Sequence, residues 1–168
     1  MIPKGLDLFP AEVEDRRVPL LRIAVVDGQG ASIGSEVIKR MRLAFGEELE
    51  IWALGTNAIA TSQMLRAGAN RGAAGEGALC HSLNQVDVVV GTVSILIGDS
   101  FMGELTQAMA LAVSKCEAVK LLLPLTQEPT HVVGTAPQPL PHHIEVLIDR
   151  FLTPLVQARG GKPESRPR

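Results

Sequence analysis

The sequence contains no tyrosine, one tryptophan and four phenylalanines, so aromatic side chains make up only 3% of its 168 residues. That scarcity excludes chemistry needing a phenolic acid and leaves little material for an aromatic lid over a flavin. The single tryptophan, Trp52, falls inside an apolar run whose alternating positions face packed helices, which points to the core. Cysteine is nearly absent. Cys80 and Cys116 can form at most one disulfide, and a chain with 46% hydrophobic residues has no need of one, so a reduced, cytoplasmic setting is expected. Neither sign of charge dominates, with 16 Lys and Arg against 18 Asp and Glu. Without a basic stripe, nucleic acid is not an expected partner. Long hydrophobic runs are also missing. The longest, Val86 to Ile97, is broken by Asp87, Gly91, Thr92 and Ser94, and is too short to span a membrane. Cys80, His81, Cys116, His131, His142 and His143 do not follow zinc-ligand spacing, so no metal is expected.

What is present fits one domain over residues 20–158. Residues 1–19 form a leader with no cationic start and apolar run of a signal peptide, and residues 159–168 a basic tail; both have the composition of disordered segments. Leu20 to Val26 is a short apolar run that stops at Asp27, Gly28 and Gly30, the pattern of a buried strand entering a turn. Ile33, Val37, Met41, Ala44 and Phe45 then recur at helical spacing up to Gly46. Glu50 to Leu54 repeats the strand, and Ala58 to Ala67 the helix, with Thr56 or Asn57 as N-cap and Gly68 just past the end. Val86 to Val90 and Val119 to Leu123 are two further strands, separated by a helix with Leu105, Met109, Ala112 and Cys116 on one face. His131 to Val133 is a candidate fifth. A closing helix carries Ile144, Leu147, Ile148, Phe151 and Leu155, which Pro154 should kink or end. Alternating elements with continuously apolar strands predict a three-layer α/β fold of Rossmann-like design, a mostly parallel sheet of four to five strands with helices on both faces.

The chemistry-bearing segment is IAVVDGQGASIG. Gly28, Gly30 and Gly34 lie between a buried strand and a helix N-terminus, where unpaired backbone N–H groups and the helix dipole favour an anion. Gln29 lies in the same loop, and Ser32 and Ser35 add hydroxyls. A phosphate-bearing small molecule is the expected partner, a nucleotide such as NAD(P) among the candidates. The same glycines would also serve a bare strand-to-helix turn. The spacing is one residue longer than the usual dinucleotide fingerprint, and the acid expected at the end of the second strand is replaced by Leu54-Gly55-Thr56-Asn57. No Gly-Lys-Ser/Thr is present, so nucleotide hydrolysis of the P-loop type loses its main support. Gly55, Thr56, Asn57 and Thr61 mark a second strand-helix junction, and the Gly28–Ser35 and Gly55–Thr61 loops should border one crevice. RAGANRGAAGEGA, with Arg66, Arg71, Gly72, Gly75 and Gly77, either wraps an anion or is a plain surface loop. Of the carboxylates near strand ends, Asp27, Glu76, Asp99 and Glu104, Asp27 is the foremost candidate base, with capping of the adjacent amides as its other role.

Taken together, VVDGQGASIG, ALGTNAIATSQMLRAGANRGAAGEGA, VDVVVG and MGELT resemble a bacterial family of small Rossmann-like proteins known only as a domain of unknown function, over about Arg22 to Gly134. The resemblance implies a fold and a ligand crevice but no activity. A looser similarity runs to methylglyoxal-synthase-like domains, through Gly55-Thr56 and Gly72 to Gly77. It implies a phosphometabolite lyase as one alternative. The other is a non-enzymatic oligomeric or regulatory module, with Val93 to Met102 as a subunit contact in a two-fold homodimer.

Overall fold

A computed structural model describes residues 19–159; the expected leader and basic tail lie almost wholly outside them. Five parallel strands form one sheet: β1 (Leu21–Asp27), β2 (Leu49–Gly55), β3 (Arg71–Ala74), β4 (Val88–Thr92) and β5 (Val119–Leu123), in the spatial order β3-β2-β1-β4-β5. The three middle strands are buried almost throughout, as continuous apolar runs require.

On one face lie α1 (Ser32–Phe45), α2 (Ala58–Arg66) and a closing helical stretch made of α5 (Leu140–Val146), a π-helical segment (Leu147–Leu152) and α6 (Thr153–Ala158). Ile23, Val25, Ile51 and Val90 meet Val37, Met41, Met64 and Ile148 there. On the other face, α3 (Glu76–Ser82) and α4 (Gln107–Lys115) pack through Leu79, Met109 and Val113 onto Ala24, Val26, Trp52 and Val89. From β1 the chain steps outward to β2 and β3 with helices on one face. It then returns to β4 beside β1 and steps outward to β5 with its helix on the opposite face, which keeps crossovers of one hand. The Rossmann-like α/β architecture is therefore present, and it creates a topological switch point between β1 and β4, where ligands of open α/β sheets collect.

Three local expectations are corrected. His131 to Val133 is not a strand: the chain after β5 runs through turns, one closed by Thr135 Oγ1 donating to Val132 O at 2.8 Å. The fifth strand is β3 instead, inside the glycine-rich segment that reads as a loop. Gly72 is needed there because a Cβ would come within 2.8 Å of both Leu65 Cδ1 and Thr61 Cγ2 on α2. Of the two outcomes expected at Pro154, a kink or an end, the second does not occur: the closing helix continues to Ala158. The π-helical segment just before it supplies the looser backbone hydrogen bonding that a residue without an N–H demands.

Candidate functional site

Asp27 closes β1 with its carboxylate buried. Oδ1 accepts from Gly28 N and Oδ2 from Gly34 N, both at 2.8 Å. Gly34 occupies the third position of α1, so the carboxylate supplies from the preceding strand the capping bond that the helix's own N-cap, Ala31, has no side chain to make. Gly34 must be glycine for this approach: a Cβ would lie 2.8 Å from Met64 Sδ and 3.0 Å from Asp27 Cβ. Burial pushes the Asp27 carboxyl above its ordinary value, the Gly34 and Gly28 amides oppose that, and the charge of Glu104 adds to it. With both oxygens committed to amides, Asp27 is built as a staple of the loop.

Three further amides of the loop are free. Among the described residues, the N–H groups of Gly30, Ser32 and Ile33 donate to no acceptor. They border a cavity of about 170 Å³ at the switch point, walled by the Gly28–Ile33 loop, by Thr92 and Ser94 after β4, and by Phe101 and the Leu125–Gln127 segment after β5. Thr92 is 5% exposed and its Oγ1 is buried without a hydrogen-bond partner. An orphaned buried hydroxyl costs roughly 1–3 kcal/mol. The volume would hold on the order of five waters at ~30 Å³ each, enough for one phosphate group.

The second junction lies against the other side of the same loop. Asn57 caps α2 through Ala60 N (2.7 Å) and also donates from Nδ2 to Gln29 O at 3.1 Å. Glu104 joins the two loops: its Oε2 accepts from Gln29 N (2.7 Å), Thr56 Oγ1 (2.7 Å) and Asn57 Nδ2 (3.0 Å). The Gln29 amide is the main reason its carboxyl is held below the ordinary range, with Thr56 and Asn57 assisting. Gly28 permits this docking, since a Cβ there would stand 2.7 Å from Thr56 Oγ1 and 3.1 Å from Glu104 Oε2.

Of the sequence candidates, Asp27, Gly28, Gln29, Gly30 and Ser32 thus border the switch-point cavity, while Thr56 and Asn57 hold Glu104. Gly34, Gly55 and Thr61 lie underneath as packing elements, Thr61 Oγ1 bonding to Asn57 O and Ala73 O. Ser35 Oγ is buried and unpartnered outside the cavity wall. Arg71 is tied to Glu50 (3.3 Å) and sits over Trp52. Glu76 accepts from Thr106 Oγ1 and Asp99 from Gln107 Nε2. Sequence reasoning missed Thr92, Ser94 and Phe101. The apolar run ending in Gly91-Thr92 was their signal, but only the strand order shows that it ends beside β1.

A larger cavity, about 710 Å³, lies between β5 and the closing helix, walled mainly by Leu121, Leu123, Val146, Leu147 and Phe151. It is apolar, and its one lysine, Lys120, is committed to the Cys116 and Ala118 carbonyls. Donors converge at the smaller cavity, and the site is placed there.

The two carboxylates predict opposite pH effects on stability. Asp27, raised in the fold, contributes stability that is fully present below its ordinary 3.8 and lost as pH rises through its folded pKa. Glu104, lowered from 4.5, contributes stability that is present above that value and lost as pH falls through its folded pKa. Urea denaturation at about pH 3 to about pH 7 should show the wild-type advantage over Asp27→Asn shrinking with rising pH, and that over Glu104→Gln growing. Parallel slopes would refute the assignment.

No helix among the described residues is long and apolar enough to cross a membrane, and no three His, Cys, Asp or Glu among them are grouped as metal ligands. No curated protein matches the chain. A solved structure it is similar to is the crystal structure of a universal stress protein in complex with cAMP, at 19% identity and a TM-score of 0.37, covering 62% of this chain and 98% of that one. The family match extends beyond Gly134, where the sequence resemblance stops, into the closing helix. Over residues 22–155 the sequence matches the model of the family described as Domain of unknown function (DUF3842), and the chain belongs to that family.

Proposed function

We propose that this protein binds a phosphate-bearing small molecule, nucleotides such as NAD(P) among them, with the phosphate seated in the switch-point cavity. The observation that carries this reading is the set of free amides of Gly30, Ser32 and Ile33 along one wall of that cavity, opposite the Thr92–Ser94 segment in its lining. Those amides open α1, fourteen residues long, whose dipole favours negative charge at that end. The two cysteines are free thiols, which fits a reducing, cytoplasmic setting.

Asp27 gives catalysis no direct support, since each of its oxygens accepts a backbone amide of the loop. The second reading, a homodimeric interaction module, is favoured by the apolar groove along the outer edge of β5, where Phe151 is half exposed. It draws less on the Val93–Met102 segment, where Ile95 and Phe101 are core residues and only Leu96 and Met102 are exposed apolar side chains.

A melting panel of inorganic phosphate, sugar phosphates and nucleotides separates the two, since ligand at one hundred times its Kd adds about 2.7 kcal/mol. A flat panel would favour the interaction module. Thr92→Val sharpens the test. Removing an unpaired hydroxyl should leave the ligand-free protein as stable as wild type or up to about 1 kcal/mol more stable, while lowering phosphate affinity roughly five- to tenfold. A variant that is less stable and binds normally would assign the hydroxyl a purely structural role.

A further inference from the structure

We infer that Glu104 is a recognition residue for the hydroxyl groups of a ribose, so that the ligand is a ribose phosphate or ribonucleotide whose phosphate occupies the α1 cavity and whose sugar crosses the Gly28–Gln29 loop to the end of β2. This rests on the phosphate-binding reading and narrows it to a chemical class.

The end of β2 carries no acid in its own sequence, Leu54-Gly55-Thr56-Asn57, yet a carboxylate stands there. It arrives from 48 residues downstream of Thr56, across the segment between β4 and α4. All three donors that hold Glu104 converge on one oxygen, Oε2. No hydrogen bond among the described residues reaches Oε1, and Oε1 is not among the buried unpartnered atoms, so it keeps some contact with solvent. A carboxylate offers about four acceptor positions over its two oxygens. Here one oxygen is a fixed anchor and the other is presented.

An ionised oxygen so presented repels phosphate and accepts donors, and the lowered pKa keeps it ionised at neutral pH. The free Gly30 amide on the anion side is one residue from the Gln29 amide that anchors Glu104, a step of about 3.8 Å between Cα atoms. A ligand bridging both must therefore carry a phosphate and, close to it, hydroxyl donors. A carboxylate at the end of the second strand is how parallel sheets of this topology read a ribose hydroxyl, and here a remote segment supplies it.

The backbone supports the same assignment. The described residues include five non-glycine residues with positive φ: Gln29 (49°), Ala31 (51°), Asp99 (68°), Phe101 (58°) and Met102 (57°). Two lie in the Gly28–Ile33 loop and three in the segment that carries Glu104. Such conformations cost of order 1–3 kcal/mol each and persist where the surroundings over-determine them. Met102, 91% exposed, gains no burial from its conformation, so the strain serves the placement of its neighbours.

The test is calorimetric titration of the full chain with ribose 5-phosphate, 2-deoxyribose 5-phosphate and inorganic phosphate, which removes any dependence on an unknown base. Wild type should bind ribose 5-phosphate about tenfold more tightly than the 2-deoxy sugar, as expected for a hydrogen bond to a charged acceptor. Glu104→Gln should bring the ratio of the two affinities towards one, and that ratio stays readable even if the loop loosens. Equal affinities for the two sugars on wild type, with phosphate compounds still binding, would overturn the role of Glu104 and leave phosphate binding standing. No binding by any of the three would overturn both.

Discussion

Gly55→Ala is expected to destabilise the fold by about 3 kcal/mol, the upper end of what overpacking usually costs, and to lower the melting temperature by roughly 6–12 °C for a domain of this size. Gly55 ends β2, and a Cβ added there would lie 2.3 Å from Thr61 Oγ1, 2.7 Å from Thr61 N and 2.8 Å from Asn57 O. Two of the three are main-chain atoms with little room to retreat. Thr61 N bonds to Asn57 O at 3.2 Å in the first turn of α2, and Asn57 is pinned as that helix's cap. Gly55 itself is held by Gly75 N donating to its carbonyl at 2.9 Å, and Thr56 N bonds to Asp27 O at 3.0 Å. The methyl therefore has to part β2 from α2. Gly77→Ala is the matched control: it lies in α3 and its Cβ would meet nothing within 4 Å, so it should be neutral or gain up to about 1 kcal/mol. If Gly55→Ala unfolds at the wild-type urea midpoint, the junction is looser than this geometry requires.

That junction also shows where sequence reading holds and where it stops. The first two βα units were legible because their signals are local: an apolar run, a glycine-rich turn, then helical periodicity over Ile33 to Phe45, with Gly68 at φ 121° just past α2. β3 was hidden because Arg71-Gly72-Ala73-Ala74 has no branched or aromatic side chain; its glycine answers to the closeness of α2, a tertiary fact. His131-Val132-Val133 has the better strand composition and no strand beside it. The glycine-rich loop was legible as a strand-to-helix turn, but the side on which its cavity lies was not. A crevice shared by the first two loops follows from β1 and β2 being neighbours, whereas the cavity faces β4, and strand order alone decides that. Glu104 reaches its partners over 47 to 75 residues of chain by way of a backbone held at positive φ. No periodicity encodes such a contact.

Gly30→Val is expected to leave the fold intact and to weaken binding of phosphate compounds at least about a hundredfold, the loss that follows when a site's polar groups can no longer be reached. Gly30 is exposed, its φ lies outside the left-handed region, and a Cβ on it would meet nothing within 4 Å. A side chain is therefore tolerated by the protein, and on the proposed reading it would compete with a ligand at the free amides beside it. Valine is the choice because its two methyl groups, stiff at χ1, spread over the mouth of a cavity of only about 170 Å³ beside the Ser32 and Ile33 amides. Circular dichroism and the melting temperature of the ligand-free variant should match wild type. Gly30→Ala, which adds only a single methyl, should fall between the two in affinity. Gly28→Val is the contrasting case, because its Cβ would meet Phe101 Cδ2 at 2.8 Å as well as Thr56 Oγ1, and it should lose stability together with binding. Binding that survives in a folded Gly30→Val protein would place the ligand away from this loop, and the glycines would then serve only the turn between β1 and α1.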